Sequence, residues 1–283
     1  MVEAGADTGR ILDQGYRRFT GARRPPARVS WVIALEELRQ AWKEKHFRRV
    51  VWAALLPLLF FGVLVFLKRF MPMVGFGGDE GVRLFRVQQF WSVFVVFYVG
   101  RNAIGEELRT GALELIFSRP VSFPRYLAGK WLALVLAVVG IIAVPVCLLG
   151  LFELLWTPGS DLAHFARLVT SAVFASVLVG LAQGALMLAI SALAGRGTAA
   201  GVVWVLLYLV LGGAAEGVSH ATGSMEALAL SLNGAGGGLF SNLMGSSTFQ
   251  ATVPACLAGL VGYAALGAGL TLLRLRRYRK GAS

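Results

Sequence analysis

Long stretches without a charged residue dominate this sequence and limit what the chain can fold into. They cover residues 50–67, 87–100, 131–152, 168–195, 197–215 and 227–273. Because about 20 apolar residues cross the hydrocarbon core of a bilayer as a helix, the pattern predicts an all-α integral membrane protein. The composition agrees, since 57% of the residues are hydrophobic, 15% are charged and the mean hydropathy is +0.69. A soluble globular domain has a lower apolar and a higher charged fraction.

The last uncharged stretch is too long for one helix, and the number of spans depends on how it divides. Clustered Gly and Asn in its first half are expected to interrupt a helix, whereas residues 253–273 form one clean span. Two spans in this stretch would give seven in total and put the termini on opposite sides. One span gives six and puts both termini on the same side.

The distribution of positive charge decides between these topologies. With six spans, 22 of the 27 Lys and Arg residues lie on the side of the N-terminus. The positive-inside rule therefore predicts a multi-pass protein with both termini cytoplasmic. This topology also explains the net charge of +12, so no nucleic-acid partner is expected. The six predicted spans are about 49–69, 86–104, 126–152, 168–195, 197–216 and 253–273.

Two segments outside the predicted spans have assignments of their own. Residues 1–27 are a flexible basic tail that contains Pro25-Pro26, and residues 28–283 form the transmembrane domain. Residues 227–252 lie on the external side, as a re-entrant helical hairpin or as a plain loop. Non-helical backbone at membrane depth is tolerated only where protein or water covers it.

An amphipathic helix is predicted over residues 30–46, immediately before the first span. Ser30 is the expected N-cap, and the apolar residues recur at helical steps of four, three and four. These residues are Trp31, Leu35, Leu38 and Trp42. Trp at both ends of the stripe favours a helix that lies in the membrane interface and contacts lipids. The alternative is a cytoplasmic helix packed on another domain.

The connection between the second and third spans carries the most informative pattern. Residues 106–117 can form a short helix with a partly apolar face, which Arg119-Pro120 ends because the residue before proline avoids the helical region. Ser122 then precedes Phe123-Pro124, a favourable start for the next helix. From the residues alone, this segment is either a docking helix for a soluble partner or a capped surface loop.

This connection resembles the signature of ABC type-2 transporter permeases, which reads roughly E-E-x-x-x-G-T-L-E-L-x-x-x-x-P-V-S-R-x-x-x-x-x-G-K. The matching positions are Glu106, Glu107, Gly111, Leu113, Glu114, Leu115, Pro120, Val121, Ser122, Gly129 and Lys130. Ala112 stands where the family usually has Thr, and Phe123 where it usually has Arg. The signature covers about 25 residues, and the six-span layout extends the resemblance to most of the chain.

The resemblance implies a permease subunit of an exporter in the cytoplasmic (inner) membrane. Such a subunit pairs with a second permease copy, either as a homodimer or with a paralogue, and is driven by a dimer of cytoplasmic ABC ATPase subunits. ATP and Mg would bind to the ATPase and no cofactor to this chain, which is therefore not an enzyme. The sequence agrees, since it has no G-x-x-x-x-G-K-[ST] motif. The implied ATPase-coupling residues are Glu106, Glu107, Arg109, Gly111, Leu113, Glu114, Phe117, Arg119 and Pro120.

The substrate stays unidentified at this level, and one alternative role fits the same architecture. In that alternative the ATPase drives a mechanical or regulatory change in a partner, with no substrate transported. Three polar residues are candidates for a substrate path or for packing: Gln183 in the fourth span, and Glu153 and Glu216 at the outer ends of the third and fifth spans. Gln183 lies within a Gly180-x-x-x-Gly184 pattern, which favours close helix packing.

Overall fold

The computed structural model describes residues 28–70, 79–113, 122–157, 161–246 and 251–281. The predicted tail 1–27 and four of the predicted coupling residues lie outside these ranges. The four residues are Glu114, Phe117, Arg119 and Pro120. All regular structure in the described ranges is helical, with no strand.

Nine α-helices and one 3-10 helix make up the described part of the chain. They are α1 (Arg28–Lys43), α2 (Lys45–Phe70), α3 (Glu80–Gly100), α4 (Gly105–Thr110), α5 (Phe123–Trp156), α6 (Leu162–Ala194), α7 (Gly197–Thr222), the 3-10 helix Met225–Leu230, α8 (Leu232–Met244) and α9 (Val253–Gly281). Five of these helices, α2, α5, α6, α7 and α9, are long and apolar enough to cross a membrane. The described part of the chain is therefore all-helical, and its five apolar helices indicate a multi-pass membrane protein.

Helix α3 is also long, but it is not among the helices that are apolar enough to cross a membrane, and more than half of its residues are buried. It corresponds to the second predicted span, but it begins at Glu80 and ends at Gly100, so the predicted bounds of 86–104 are shifted. Its first turns carry Arg83 and Arg86, and Gln88 and Gln89 follow them. Because α2, α5, α6 and α8 pack around it, α3 can hold Gln88 and Gln89 inside the protein, whereas Arg83 is exposed and Arg86 is partly buried.

The centre of the bundle is the packing of α6 between α5 and α9. Gly180 and Gly184 of α6 both face α5, where Cβ atoms would lie 3.1 Å from Val135 Cα and 2.9 Å from Trp131 Cδ1. On α9, a Cβ at Gly267 would lie 2.4 Å from the carbonyl carbon of Ala185. Small residues thus let the backbones approach closely, as is typical of membrane helix interfaces.

The Gly-rich segment is helical, so the expectation that it interrupts a helix is wrong. Ser231 caps α8 by accepting a hydrogen bond from the Gly234 amide at 2.9 Å. Residues 234–238 are all buried, and a Cβ at Gly236 would lie 2.5 Å from Val179 Cγ2 of α6. Close packing by α3 and α6 therefore overrides the weak helix propensity of glycine. The plain-loop alternative is wrong for residues 225–246.

Helix α1 lies against α5 and ends earlier than predicted, since the chain turns at Glu44 directly into α2. Ser30 does not cap it, because the helix begins at Arg28 and the Ser30 hydroxyl instead donates to the Arg125 carbonyl at 2.8 Å. The buried positions of α1 are Ala34 and Ala41.

The predicted apolar stripe of α1 largely faces away from the protein. Trp31, Leu35 and Trp42 are 48%, 46% and 50% exposed, while Leu38 packs against the core. These three side chains can therefore contact the surroundings of the protein.

Candidate functional site

A buried lysine joins three helices at one end of the bundle. Lys130, near the start of α5, is only 4% exposed, and its Nζ lies 2.6 Å from Glu37 Oε1 of α1 and 2.7 Å from Glu107 Oε1 of α4. One ammonium therefore pairs with two partly buried carboxylates from different helices. Buried charges are stable only with such compensation.

Two neighbouring residues complete this arrangement, which we call the Lys130 junction (Glu37, Glu107, Tyr126, Gly129 and Lys130). The Tyr126 hydroxyl donates a hydrogen bond to the second carboxylate oxygen of Glu107. Gly129 lets α1 approach α5, because a Cβ there would lie 2.9 Å from the Ser30 carbonyl oxygen. The adjacent Gly and Lys thus have separate roles, one in helix approach and one in charge pairing.

The charge of Glu107 depends on this environment. Burial raises the pKa of Glu107 above its usual 4.5, the Lys130 ammonium works in the opposite direction, and the Glu37 carboxylate adds a smaller upward effect. The ionised form of Glu107 therefore relies on Lys130.

Helix α4 has a second set of attachments, at its N-terminal end. The Arg101 guanidinium makes two contacts with the Glu44 carboxylate, at 2.9 and 3.0 Å. The Ser191 hydroxyl of α6 accepts hydrogen bonds from the amides of Ile104 and Gly105, at 3.2 and 3.1 Å. These amides would otherwise be unpaired at the start of α4, so α6 holds the helix in place.

The opposite face of α4 is open. The Glu106 and Arg109 side chains are 48% and 60% exposed and lie 4.0 Å apart. The helix ends at Thr110, because Gly111 adopts a left-handed conformation with φ of 72°, and Leu113 beyond it is buried. The helix predicted over 106–117 is therefore interrupted at Gly111.

The structure divides the described coupling residues into two groups. Glu107 and Leu113 point into the protein, whereas Glu106 and Arg109 are available for contact. Sequence reasoning did not identify Glu37 or Tyr126 as partners of this segment. Neither carries a local signal, since both are ordinary residues of amphipathic or apolar stretches.

The three candidate path residues do not come together. Gln183 is buried, and its Oε1 accepts a hydrogen bond from the Ser92 hydroxyl of α3 at 3.0 Å. Glu153 is partly buried near the opposite end of the bundle, within electrostatic reach of an ion pair between Lys68 and Glu80 whose atoms are 2.5 Å apart. Glu216 is exposed on α7.

Gln183 belongs to a polar layer that sequence reasoning only partly found. On α3, Gln88 donates to the Ala54 carbonyl of α2 at 2.8 Å, and Gln89 lies beside the glycines of α8. Gln88 and Gln89, with Ser92 one turn later, interrupt an apolar run and could have marked this layer. They link α2, α3, α6 and α8.

Known proteins add no identification at this point. No protein-family model matches the chain, and no curated protein matches it. Within the described ranges, no group of three or more His, Cys, Asp or Glu side chains could hold a metal ion.

Proposed function

We propose that this chain is the permease subunit of an ATP-binding cassette exporter of the type-2 class. The observation that carries the proposal is the state of α4, a short charged helix that is exposed on one face and anchored on the other. Glu106 and Arg109 would contact a cytoplasmic ATPase subunit, and complementary charges of this kind set the register of partners. ATP and Mg would be bound by that subunit.

The anchors of α4 explain how such a contact can act on the membrane helices. A displacement of α4 passes through Lys130 to α1 and α5, and through Ser191 to α6. Since α5 and α6 pack on each other at the centre of the bundle, movement at α4 reaches the largest helix interface. A second permease copy, identical or a paralogue, would complete the path for a substrate.

One ion pair and one shared groove at this end of the bundle support a six-span topology. Glu44, before the first span, pairs with Arg101, after α3, and Arg274 of α9 lines a groove together with Arg109. Both ends of the described chain thus lie at the end that holds α4. A chain with both ends on one side crosses the membrane an even number of times. The five apolar helices therefore need one further span, which is α3.

The same topology assigns two further segments. The Ser246 hydroxyl after α8 bonds Asp79 before α3, at the end opposite α4, so the 3-10 helix and α8 form a re-entrant hairpin on the external side. Helix α1 lies in the cytoplasmic interface of the inner membrane, with Trp31 and Trp42 among the lipid headgroups.

Charge reversal on the open face of α4 tests the coupling proposal. We expect Glu106→Arg and Arg109→Glu to reduce co-purification with the ATPase subunit by about tenfold or more, because close charge pairs at an interface are worth about 1.5 kcal/mol or more. The chain would be co-expressed with ATP-binding cassette subunits of the same genome, starting with neighbouring reading frames. Thermal stability should stay unchanged, since both side chains are exposed.

Glu226→Arg is the matched control, because Glu226 is exposed at the opposite end of the bundle. It should leave co-purification intact. Full ATPase binding and turnover in both α4 variants would contradict the proposal.

Reporter fusions test the topology separately. We expect a C-terminal fluorescent protein that matures only in the cytoplasm to be bright, and a C-terminal alkaline phosphatase to be inactive. The same pair at the N-terminus should give the same result. An active C-terminal phosphatase would overturn the six-span topology.

A further inference from the structure

A groove lined by arginines runs beside α4, at the end of the bundle that carries the Lys130 junction. Two adjoining cavities of about 290 and 420 Å³ share Arg109, Gly195 and Arg196 in their walls. Arg274 of α9 lines the smaller cavity. We call the combined feature the arginine groove, after Arg109, Arg196 and Arg274.

The charge of the arginine groove is largely uncompensated. In the ranges that the structure describes, neither Arg196 nor Arg274 has an ion-pair partner. Glu106 lines the larger cavity but lies 4.0 Å from Arg109, and both side chains are exposed. Such a surplus of guanidinium groups favours an anionic ligand.

The start of α7 adds hydrogen-bond donors to the same place. Helix α7 begins at Gly197, and the preceding Arg196 makes no side-chain capping bond. Gly197 and Thr198 line the larger cavity, so amides of the first turn, which have no partner within the helix, lie at its wall. A helix N-terminus beside arginines is suited to phosphate oxygens.

The apolar surroundings of the groove favour a lipid over a soluble anion as the source of the phosphate. Arg196 separates two uncharged stretches, and Arg274 is the first charge after a third, so both lie where apolar sequence ends. Leu108, Ala192 and Ala194 line the smaller cavity, and Leu193 and Leu272 next to it are exposed. A soluble anion gains nothing from this apolar wall, whereas a lipid gains contacts for its acyl chains.

We propose that the arginine groove binds the phosphate headgroup of an anionic membrane lipid, with its acyl chains against α6 and α9. Basic pockets between membrane helices are suited to such headgroups. A bound lipid would link α4 to the α6–α7 turn and to α9, two elements that the Lys130 junction does not reach. This inference does not require that the protein transports a substrate.

Lipid retention by the purified full-length protein tests the proposal. Protein stripped of lipid in detergent would be titrated with phosphatidylglycerol or phosphatidylcholine and the adducts counted by native mass spectrometry. We expect wild type to favour phosphatidylglycerol, and each of Arg196→Gln and Arg274→Gln to weaken its binding about fivefold. The double variant should lose the preference, while added inorganic phosphate should not displace the lipid.

Arg276→Gln is the matched control, because Arg276 is exposed on the same helix but does not line the groove. It should bind phosphatidylglycerol as wild type does. Unchanged phosphatidylglycerol binding in the double variant overturns the proposal. It does so both if the groove binds an acidic protein surface and if it binds no ligand. An equal loss of phosphatidylglycerol binding in Arg276→Gln also overturns the proposal, since lipid binding would then depend on the total charge of the protein and not on the groove.

Discussion

Replacing Lys130 with Met is expected to destabilise the protein by about 3 kcal/mol, near the lower end of the range for breaking a buried ion pair. The methionine fills similar volume but leaves two carboxylates, those of Glu37 and Glu107, next to each other without a counter-ion. These side chains are 19% and 23% exposed, so water compensates part of the loss. The measurement is thermal unfolding followed by size-exclusion chromatography in detergent.

The defect of Lys130→Met should depend on pH in a defined direction. Without the ammonium, the pKa of Glu107 rises further above 4.5, because Lys130 no longer offsets burial and the Glu37 carboxylate. The folded state would bind this proton more tightly than the unfolded state, so the contribution is fully present below pH 4.5 and is lost as the pH rises through the raised pKa. The variant should therefore lie closer to wild type at pH 4.5 than at neutral pH.

A variant with neutral partners of residue 130 tests for rescue of the stability, and a variant of an exposed arginine is the control. Adding Glu37→Gln and Glu107→Gln to Lys130→Met should restore part of the lost stability and remove the pH dependence. Arg109→Met should have little effect, since Arg109 is exposed and its ion pair is long. A Lys130→Met protein as stable as wild type at neutral pH would show that the junction contributes nothing to the fold.

The Lys130 junction also shows why a sequence predicts where a functional segment lies better than it predicts which residues that segment contacts. Gly129 and Lys130 are visible in the sequence as the end of a recognisable signature. The partners of Lys130 lie 93 and 23 residues earlier in the chain, and they meet only when α1 and α4 pack on α5. Such non-local pairs have no local signal, so the sequence did not predict that Glu107 contacts Lys130.

The length of the uncharged apolar stretches was sufficient to predict the long helices α2, α5, α6, α7 and α9, because membrane insertion depends on length and hydropathy. The same reasoning was weakest for α3 and α8. Glu80 can lie inside the bundle because Lys68 of α2 neutralises it. The glycines of α8 are helical because α3 and α6 pack so closely against them that a side chain would not fit. In both helices tertiary packing overrides a local preference, and that packing cannot be predicted from a single sequence.

The second large effect is expected at Gly267, where α9 touches the backbone of α6. A Cβ at this position would lie 2.4 Å from the Ala185 carbonyl carbon and 2.5 Å from the Leu186 nitrogen. No side-chain rotation can relieve contacts with backbone atoms, so Gly267→Ala has to separate the two helices. Overpacking of this kind costs about 1–3 kcal/mol, and we expect the upper part of that range.

Gly269→Ala on the same helix is the control that isolates the contact, because no atom lies within 4 Å of its ideal Cβ. Alanine is the better helix former by about 1 kcal/mol, so this variant should be as stable as wild type or slightly more stable. The two variants differ only in which side of α9 receives the methyl group. Thermal unfolding of the pair therefore measures the α6–α9 contact directly, and a Gly267→Ala protein as stable as Gly269→Ala would mean that α9 does not pack on α6 at Ala185.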